Sequence, residues 1–247
     1  MDSANYSIAQ LQWQEQLNGH WLLSLQITAD NATDKNAVDF ITARFSLNSG
    51  QPLNLFAIHS LSDNHWQLQF LCDSQIEVAS DTCLQIIWSE KTLPLKADKL
   101  LMLGEELCMA PLFALAKQRQ NHTNPTGDLV LLHAQKRFPF AIKPARFMVQ
   151  GTPPEAIGAC TLLEDWKIAN RLCSEDFIAG CAQMSLAEML AEWLKTALIT
   201  EQHRPKNVID EWHVILSATK STTQECCELL NQASLKANSL KINLLCL

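Results

Sequence analysis

The sequence predicts a small antiparallel β-barrel over residues 1–97 followed by a doubly wound parallel-sheet α/β domain over residues 98–247. Two rhythms predict this. Up to about residue 95, short runs alternate apolar and polar residues between turn-forming clusters; beyond it, buried-type strands alternate with helical segments. A third observation concerns size: 247 residues, 47% hydrophobic and 18% charged, with no polar or repetitive tract, suffice for two modest cores.

In the first part, HWLLSLQIT (20–28), AVDFITARFSL (37–47), PLNLFAIHS (52–60), HWQLQFLC (65–72) and TCLQIIWS (82–89) read as strands. The turn-formers NATDKN, NSGQ and SDN separate them. His65, Gln67 and Gln69 alternate with Trp66, Leu68 and Phe70, as one wet and one dry face require. Short strands at near-regular spacing imply a barrel.

In the second part, KLLMLG (99–104) reads as a strand, about 108–120 as a helix, DLVLLHA (128–134) as a buried strand and ARFMVQ (145–150) as another. GTPPEA marks a turn. MSLAEMLAEWLKTAL (184–198) places Leu186, Met189, Leu190, Trp193, Leu194 and Ala197 on one helical stripe, with Ser185 and Glu188 as a capping box. The last unit is the strand WHVILSA (212–218), the turn TKST, the helix TQECCELLNQASLK and the strand LKINLLC. Such alternation gives a parallel sheet with right-handed crossovers, whose ligand crevice lies beyond the strands' carboxyl ends, at Gly104 and at Ser217–Lys220.

Composition excludes several classes of function. A formal charge of −7 argues against nucleic acid or an anionic membrane surface, which need a basic face. The start MDSANYSIAQLQWQ has neither a basic nor an apolar leader region, and no apolar run reaches about 20 residues, so a cytoplasmic location is expected. Nine cysteines (72, 83, 108, 160, 173, 181, 226, 227 and 246) include no C-x-x-C pair, so no metal site is expected. Nucleophile elbows and Walker loops are missing too.

The stretch LMLGEELCMAPLFALAK (101–117) reads as strand, tight turn and helix, the layout that holds a pyrophosphate on backbone amides. It has one glycine, Gly104, and two carboxylates, Glu105 and Glu106, which favour a helix start through its macrodipole. These acids would occupy the niche that an anionic ligand wants.

Three segments carry a resemblance to the ferredoxin reductase family of flavoproteins, and within it to the electron-transfer subunit of dihydroorotate dehydrogenase. GEELCMAPLFALAK resembles its glycine-rich turn and helix, through Gly104, Glu105, Ala110 and Pro111. LLEDWKIANRLCSEDFIAGCAQMSLAEMLAEWL (162–194) is similar to a segment before and within a late helix. WHVILSATKSTTQECCELL resembles a strand-turn-helix that contacts a nicotinamide cofactor, with Ala218 and Thr219 at the turn. The resemblance implies a nucleotide-binding-type α/β domain, FAD in a groove beside the barrel, NADH as electron donor, a [2Fe–2S] cluster, and a partner dehydrogenase or other protein subunit as acceptor.

The sequence departs from that pattern at each cofactor site. In PLNLFAIHS, Asn54 and Leu55 stand where the family's arginine grips the FAD pyrophosphate, leaving Phe56, Ala57, Ile58 and His59 as flavin contacts by position; Arg44 is a displaced candidate. Glu106 and Cys108 replace turn glycines, and Ala218, Thr219 and Lys220 replace Cys-Gly-Pro, so NAD(P)H binding is doubtful. The sequence ends at Leu247 without the C-x4-C-x2-C spacing, so no iron–sulfur cluster is expected. Two functions are therefore weighed: a divergent electron-transfer oxidoreductase that keeps a flavin, and a non-catalytic relative that binds or regulates a partner. His59 and His133 read as rim or satisfied histidines.

Overall fold

A computed structural model describes residues 3–28, 36–62, 64–79, 81–122, 127–202, 210–236 and 240–246. Contacts along the chain divide it into two units: Met1–Leu93 with Ala110–Gln118, and Pro94–Met109 with Arg119–Leu247.

The first unit is built on β1 (Ser3–Glu15), β2 (Trp21–Thr28), α1 (Ala37–Thr42), β3 (Arg44–Leu47), β4 (Pro52–Ser62), β5 (His65–Cys72) and β6 (Cys83–Ile87). Its strands close in the order β1-β2-β5-β4-β3-β6, every pair antiparallel. Closure removes the exposed edges that an open sheet would leave. Alternate residues point inward, so Leu23, Leu25 and Ile27 of β2 meet Leu68 and Phe70 of β5 and Leu84 and Ile86 of β6 in one core.

Two features of this unit differ from the sequence expectation. β1 joins β2 to β6 and so closes the barrel, although no strand was expected before residue 20. Residues 37–42 of AVDFITARFSL form the helix α1 rather than strand. The reason is its cap: the Asn36 side chain accepts from the Val38 amide at 2.8 Å, and the Asp39 carboxylate accepts from the Asn36 amide at 2.9 Å. Phe40 and Ile41 are then buried, which favours the helix over the β propensity of the run. Most of NATDKN lies outside the described residues.

The second unit contains β7 (Leu100–Glu105), a 3₁₀ turn (Glu106–Met109), β8 (Leu129–His133), β9 (Ile142–Pro144), β10 (Gly158–Cys160), α3 (Thr161–Asp165), β11 (Ala169–Ser174), β12 (Ala182–Gln183), α4 (Leu186–Gln202), β13 (Asp210–Ser217), α5 (Lys220–Lys236) and β14 (Leu240–Cys246). The helix α2 (Ala110–His122) follows the 3₁₀ turn, and its first nine residues group with the barrel. The sheet runs β12-β11-β8-β7-β13-β14, all parallel. Every residue of β7 is buried, as a central strand covered on both faces demands. The expected stripe of α4 packs on one face with Cys226 and Leu230 of α5 against Leu101, Leu103, Leu131, Val214 and Leu216. Ser185 and Glu188 cap α4 reciprocally, at 2.8 and 3.2 Å.

Residues 145–150, expected as a strand, form none. Strand pairing is used one turn earlier, by β9 against β10. The amides of Arg146 and Phe147 donate instead to Glu164 Oε1, at 2.7 and 3.3 Å. The expected turn TKST is mostly the first turn of α5, and β10, α3, β11 and β12 add to the expected elements. No described helix is long and apolar enough to cross a membrane.

At the amino ends of β7 and β8, Arg119 and Asp128 form a fully buried, two-point ion pair at 2.8 and 3.0 Å. Asp128 Oδ1 also accepts from the Leu100 amide at 3.0 Å, and Arg119 Nη1 donates to the Leu95 carbonyl at 2.6 Å. Removing one partner strands a buried charge, so Arg119→Met should cost about 3–5 kcal/mol in urea unfolding. A loss below about 1 kcal/mol would show that the pair does not anchor the sheet.

Candidate functional site

The order of the sheet places a switch point between β7 and β13. From β7 the chain winds outward through β8 to β11 and β12, then returns to the other side through β13 and β14. Gly104 pairs with Ser217 there, so the two segments expected to line the crevice do meet. In open α/β sheets this is where ligands bind.

The crevice is closed by the protein's own carboxylate. Glu105, 8% exposed, sends its side chain to the start of α5, where Oε2 accepts from the Thr219 amide at 2.9 Å and Oε1 from the Thr222 hydroxyl at 2.7 Å. The free amides and positive dipole end of a helix start are what an anionic ligand would use. Glu105 therefore serves α5 rather than the helix that follows it in sequence. Burial pushes its carboxyl up, but the bonds from Thr219 and Thr222, with His133 beside it, hold it below its usual value.

Glu106 completes the closure. Its backbone sits at φ 47°, the left-handed region that favours glycine, so the turn keeps a glycine's conformation with a glutamate in place. Gly104 itself is ordinary strand. The Glu106 carboxylate accepts from the Gln135 amide beyond β8 at 2.5 Å, and the Gln135 carbonyl accepts from Ser174 Oγ at 2.9 Å. Ser217 Oγ donates to the Cys108 carbonyl at 2.6 Å, fixing the 3₁₀ turn to the end of β13. Burial, then Glu105 and Glu106, push the Cys108 thiol up, which keeps it protonated.

His133 pairs in register with Glu105 and is 5% exposed. Its Nδ1 lies 3.7 Å from Glu105 Oε1, and among the described residues neither ring nitrogen has a hydrogen-bond partner. The sequence expectation of a rim or satisfied histidine is thus replaced by a buried one held beside a carboxylate. Ala218 is half-buried on the sheet core, and its carbonyl accepts from Thr223 Oγ1.

The barrel positions are arranged differently. β4 has a bulge between Leu55 and Ala57, which places Phe56 and Ala57 half-buried and His59 exposed on the outer side. Ile58 points into the barrel core with Leu53 and Leu55. Phe56 packs on Phe113 of α2, ring centroids 5.1 Å apart. Ala110 is fully buried, and Pro111 follows it in the first turn of α2, where its missing N–H costs nothing. Asn54 is half-buried and Arg44 lies exposed on β3.

Ten per cent identity links this chain to solved structures of the same fold. A ferredoxin NADP+ reductase from Neisseria gonorrhoeae with bound FAD and NADP matches over 99% of each chain with TM-score 0.54. The flavohem-like FAD/NAD binding domain of nitric oxide dioxygenase from Vibrio cholerae matches over 100% of each, with TM-score 0.52. The CS-b5R domains of human Ncb5or, in the NAD+ form, match 98% of this chain and 69% of that one, with TM-score 0.58. The chain thus has the ferredoxin reductase-like fold. No protein-family model and no curated protein matches it.

The lowered Glu105 carboxyl fixes the sign of a pH effect. Its stabilisation is present above the unfolded value of about 4.3 and is lost as pH falls through the folded value. Glu105→Gln should therefore cost about 1–3 kcal/mol at pH 7, with the gap from wild type narrowing in acid. Urea unfolding at both pH values checks this, and an equal gap at each would contradict it.

Proposed function

We propose that this chain is an electron-transfer oxidoreductase of the ferredoxin reductase type that uses a flavin and passes electrons to a protein partner. The likeness of its whole barrel-plus-α/β fold to a reductase with bound FAD carries the reading. The outer side of β4 suits a flavin ring: Phe56 supplies an aromatic edge braced by Phe113, Ala57 leaves room, and His59 offers a polar tip. When bound, a flavin supplies exchange between two-electron and one-electron chemistry, and the protein supplies orientation. Among relatives, the segment 162–194 favours the electron-transfer subunit of dihydroorotate dehydrogenase, and with it a partner dehydrogenase.

The switch-point crevice does not fit a nicotinamide nucleotide. The Thr219 amide and the Gln135 amide already bond to Glu105 and Glu106. Reduction by NAD(P)H is therefore not assigned to this site. The second reading, a non-catalytic relative that binds a partner, would apply only if the protein took up no flavin either.

Flavin titration separates the two. FAD or FMN added to the purified protein should lose fluorescence and raise the melting temperature, and Phe56→Ala with His59→Ala should weaken that binding about fivefold or more, roughly 1 kcal/mol. No response to either flavin would leave the second reading. The crevice has its own test: Glu105→Ala with Glu106→Gly vacates both amides, and NADH should bind this variant at least about tenfold more tightly than wild type. Equal NADH affinity would show that the carboxylates do not close the site.

A further inference from the structure

A buried arginine in the second unit has no carboxylate to pair with. Arg171 stands in the middle of β11, 7% exposed. Its Nη1 donates to the Asn170 carbonyl at 2.7 Å and its Nη2 to the Phe147 carbonyl at 2.6 Å. No ion pair reaches it among the described residues, although a guanidinium keeps its charge when buried. Glu164 is the carboxylate acting on it, but that group is already committed. Its Oε1 takes the amides of Arg146 and Phe147, and its Oε2 takes Arg146 Nε at 3.0 Å. Arg146 is neutralised further by Asp165 at 2.7 Å. Glu164 and Asp165 together balance Arg146 and Arg171, so the charge of Arg171 is offset at a distance, but its guanidinium touches only carbonyls, and a bound anion would supply the direct charged contact it lacks.

Arg171 lines an open cavity of about 240 Å³. Arg146 and Thr152 add polar groups to the wall, and Phe147, Met148, Pro153, Pro154 and Ile157 supply its apolar side. Met148 is 96% exposed and Ile157 63%, an unusual outlay of apolar surface beside a charge. The wall is also preformed. Gly151, at φ 82°, brings the loop so close to α4 that a Cβ there would lie 2.8 Å from Thr196 Cβ, and two prolines follow. β12 pairs only with Cys173 and Ser174, so it does not extend alongside Arg171.

We propose that this cavity binds a small organic anion, a carboxylate or phosphate on an apolar body, with Arg171 taking the anionic group and Phe147, Met148 and Ile157 the body. The volume is below that of a pocket for a drug-sized ligand, which sets the body at about one ring. The site lies apart from the Glu105 crevice in sequence and strand position, and it does not depend on the flavin reading.

The experiment uses three probes on the full chain: phenylacetate, phenyl phosphate and neutral phenylacetamide, followed by calorimetry and by amide shifts of residues 145–157. One or both anions should bind with a Kd near or below about 1 mM, and the amide at least about tenfold more weakly. Whichever anion is preferred identifies the group that Arg171 takes. Arg171→Gln should abolish binding. Met148→Glu, on an exposed side chain that folding does not need, should weaken it about fivefold or more. The proposal fails if neither anion binds at about 10 mM, if the amide binds equally, or if folded Met148→Glu binds as wild type does.

Discussion

The Asp128 carboxylate sets the geometry on which the second unit depends. It accepts from the Leu100 amide and is held in two places by Arg119, so the amino ends of β7 and β8 are fixed to each other before the ladder begins. Side chains alternate with a period of two, so register fixed at one end decides which way every later residue points. Five residues beyond Leu100, Glu105 is in register with His133, with its carboxylate turned toward the start of α5. A slip of one residue would exchange Glu105 for Gly104 or Glu106 at that place. The buried pair at one end of the strand thus determines the closure at the other.

That closure is an intramolecular competition. A phosphate entering the crevice must displace a carboxylate that is tethered there, at an effective concentration on the order of millimolar or more. It must also leave Glu105 buried without its donors, beside a like charge. Glycine at positions 105 and 106 would remove both obstacles. Glu106 keeps the backbone turn at φ 47° that glycine would adopt freely, and a left-handed non-glycine residue costs about 1–2 kcal/mol. Its bond to the Gln135 amide offsets part of that cost. The outline of a phosphate cradle persists, with its donors turned to internal use.

Much of this was legible in the sequence, and the parts that were not share a cause. The barrel rhythm, the α4 stripe and the Ser185–Glu188 box are local patterns, and the structure realises them. The Asn36–Asp39 cap is local as well, but the β-branched and aromatic run after it masked the helix. Residues 145–150 carry a strand's composition, and their amides instead bond to Glu164, eighteen residues away from Arg146. The sequence identified Glu105 as filling an anion's niche; it could not say that the niche belongs to α5, more than a hundred residues on. Arg171 gave no signal, because its significance lies in which partners it lacks. Long-range pairing of polar groups is the information that periodicity leaves out.

The three long-range acids solve one problem in the same way. A parallel sheet leaves amides unpaired where strands end and loops begin, and buried amides need acceptors. Asp128 takes the Leu100 amide, Glu105 the Thr219 amide, and Glu164 the amides of Arg146 and Phe147. Two of these carboxylates have an arginine beside them, and Glu105 has an imidazole and a helix start. Each buried negative charge is therefore matched locally by donors and positive potential. Arg171 inverts the arrangement: a buried positive charge whose direct contacts are two neutral carbonyls, with Glu164 acting on it only at a distance, placed on the wall of a cavity. In a unit where the other buried charges of this set touch an opposite charge or a helix start directly, the one that touches only carbonyls is the one positioned to take an anion from outside.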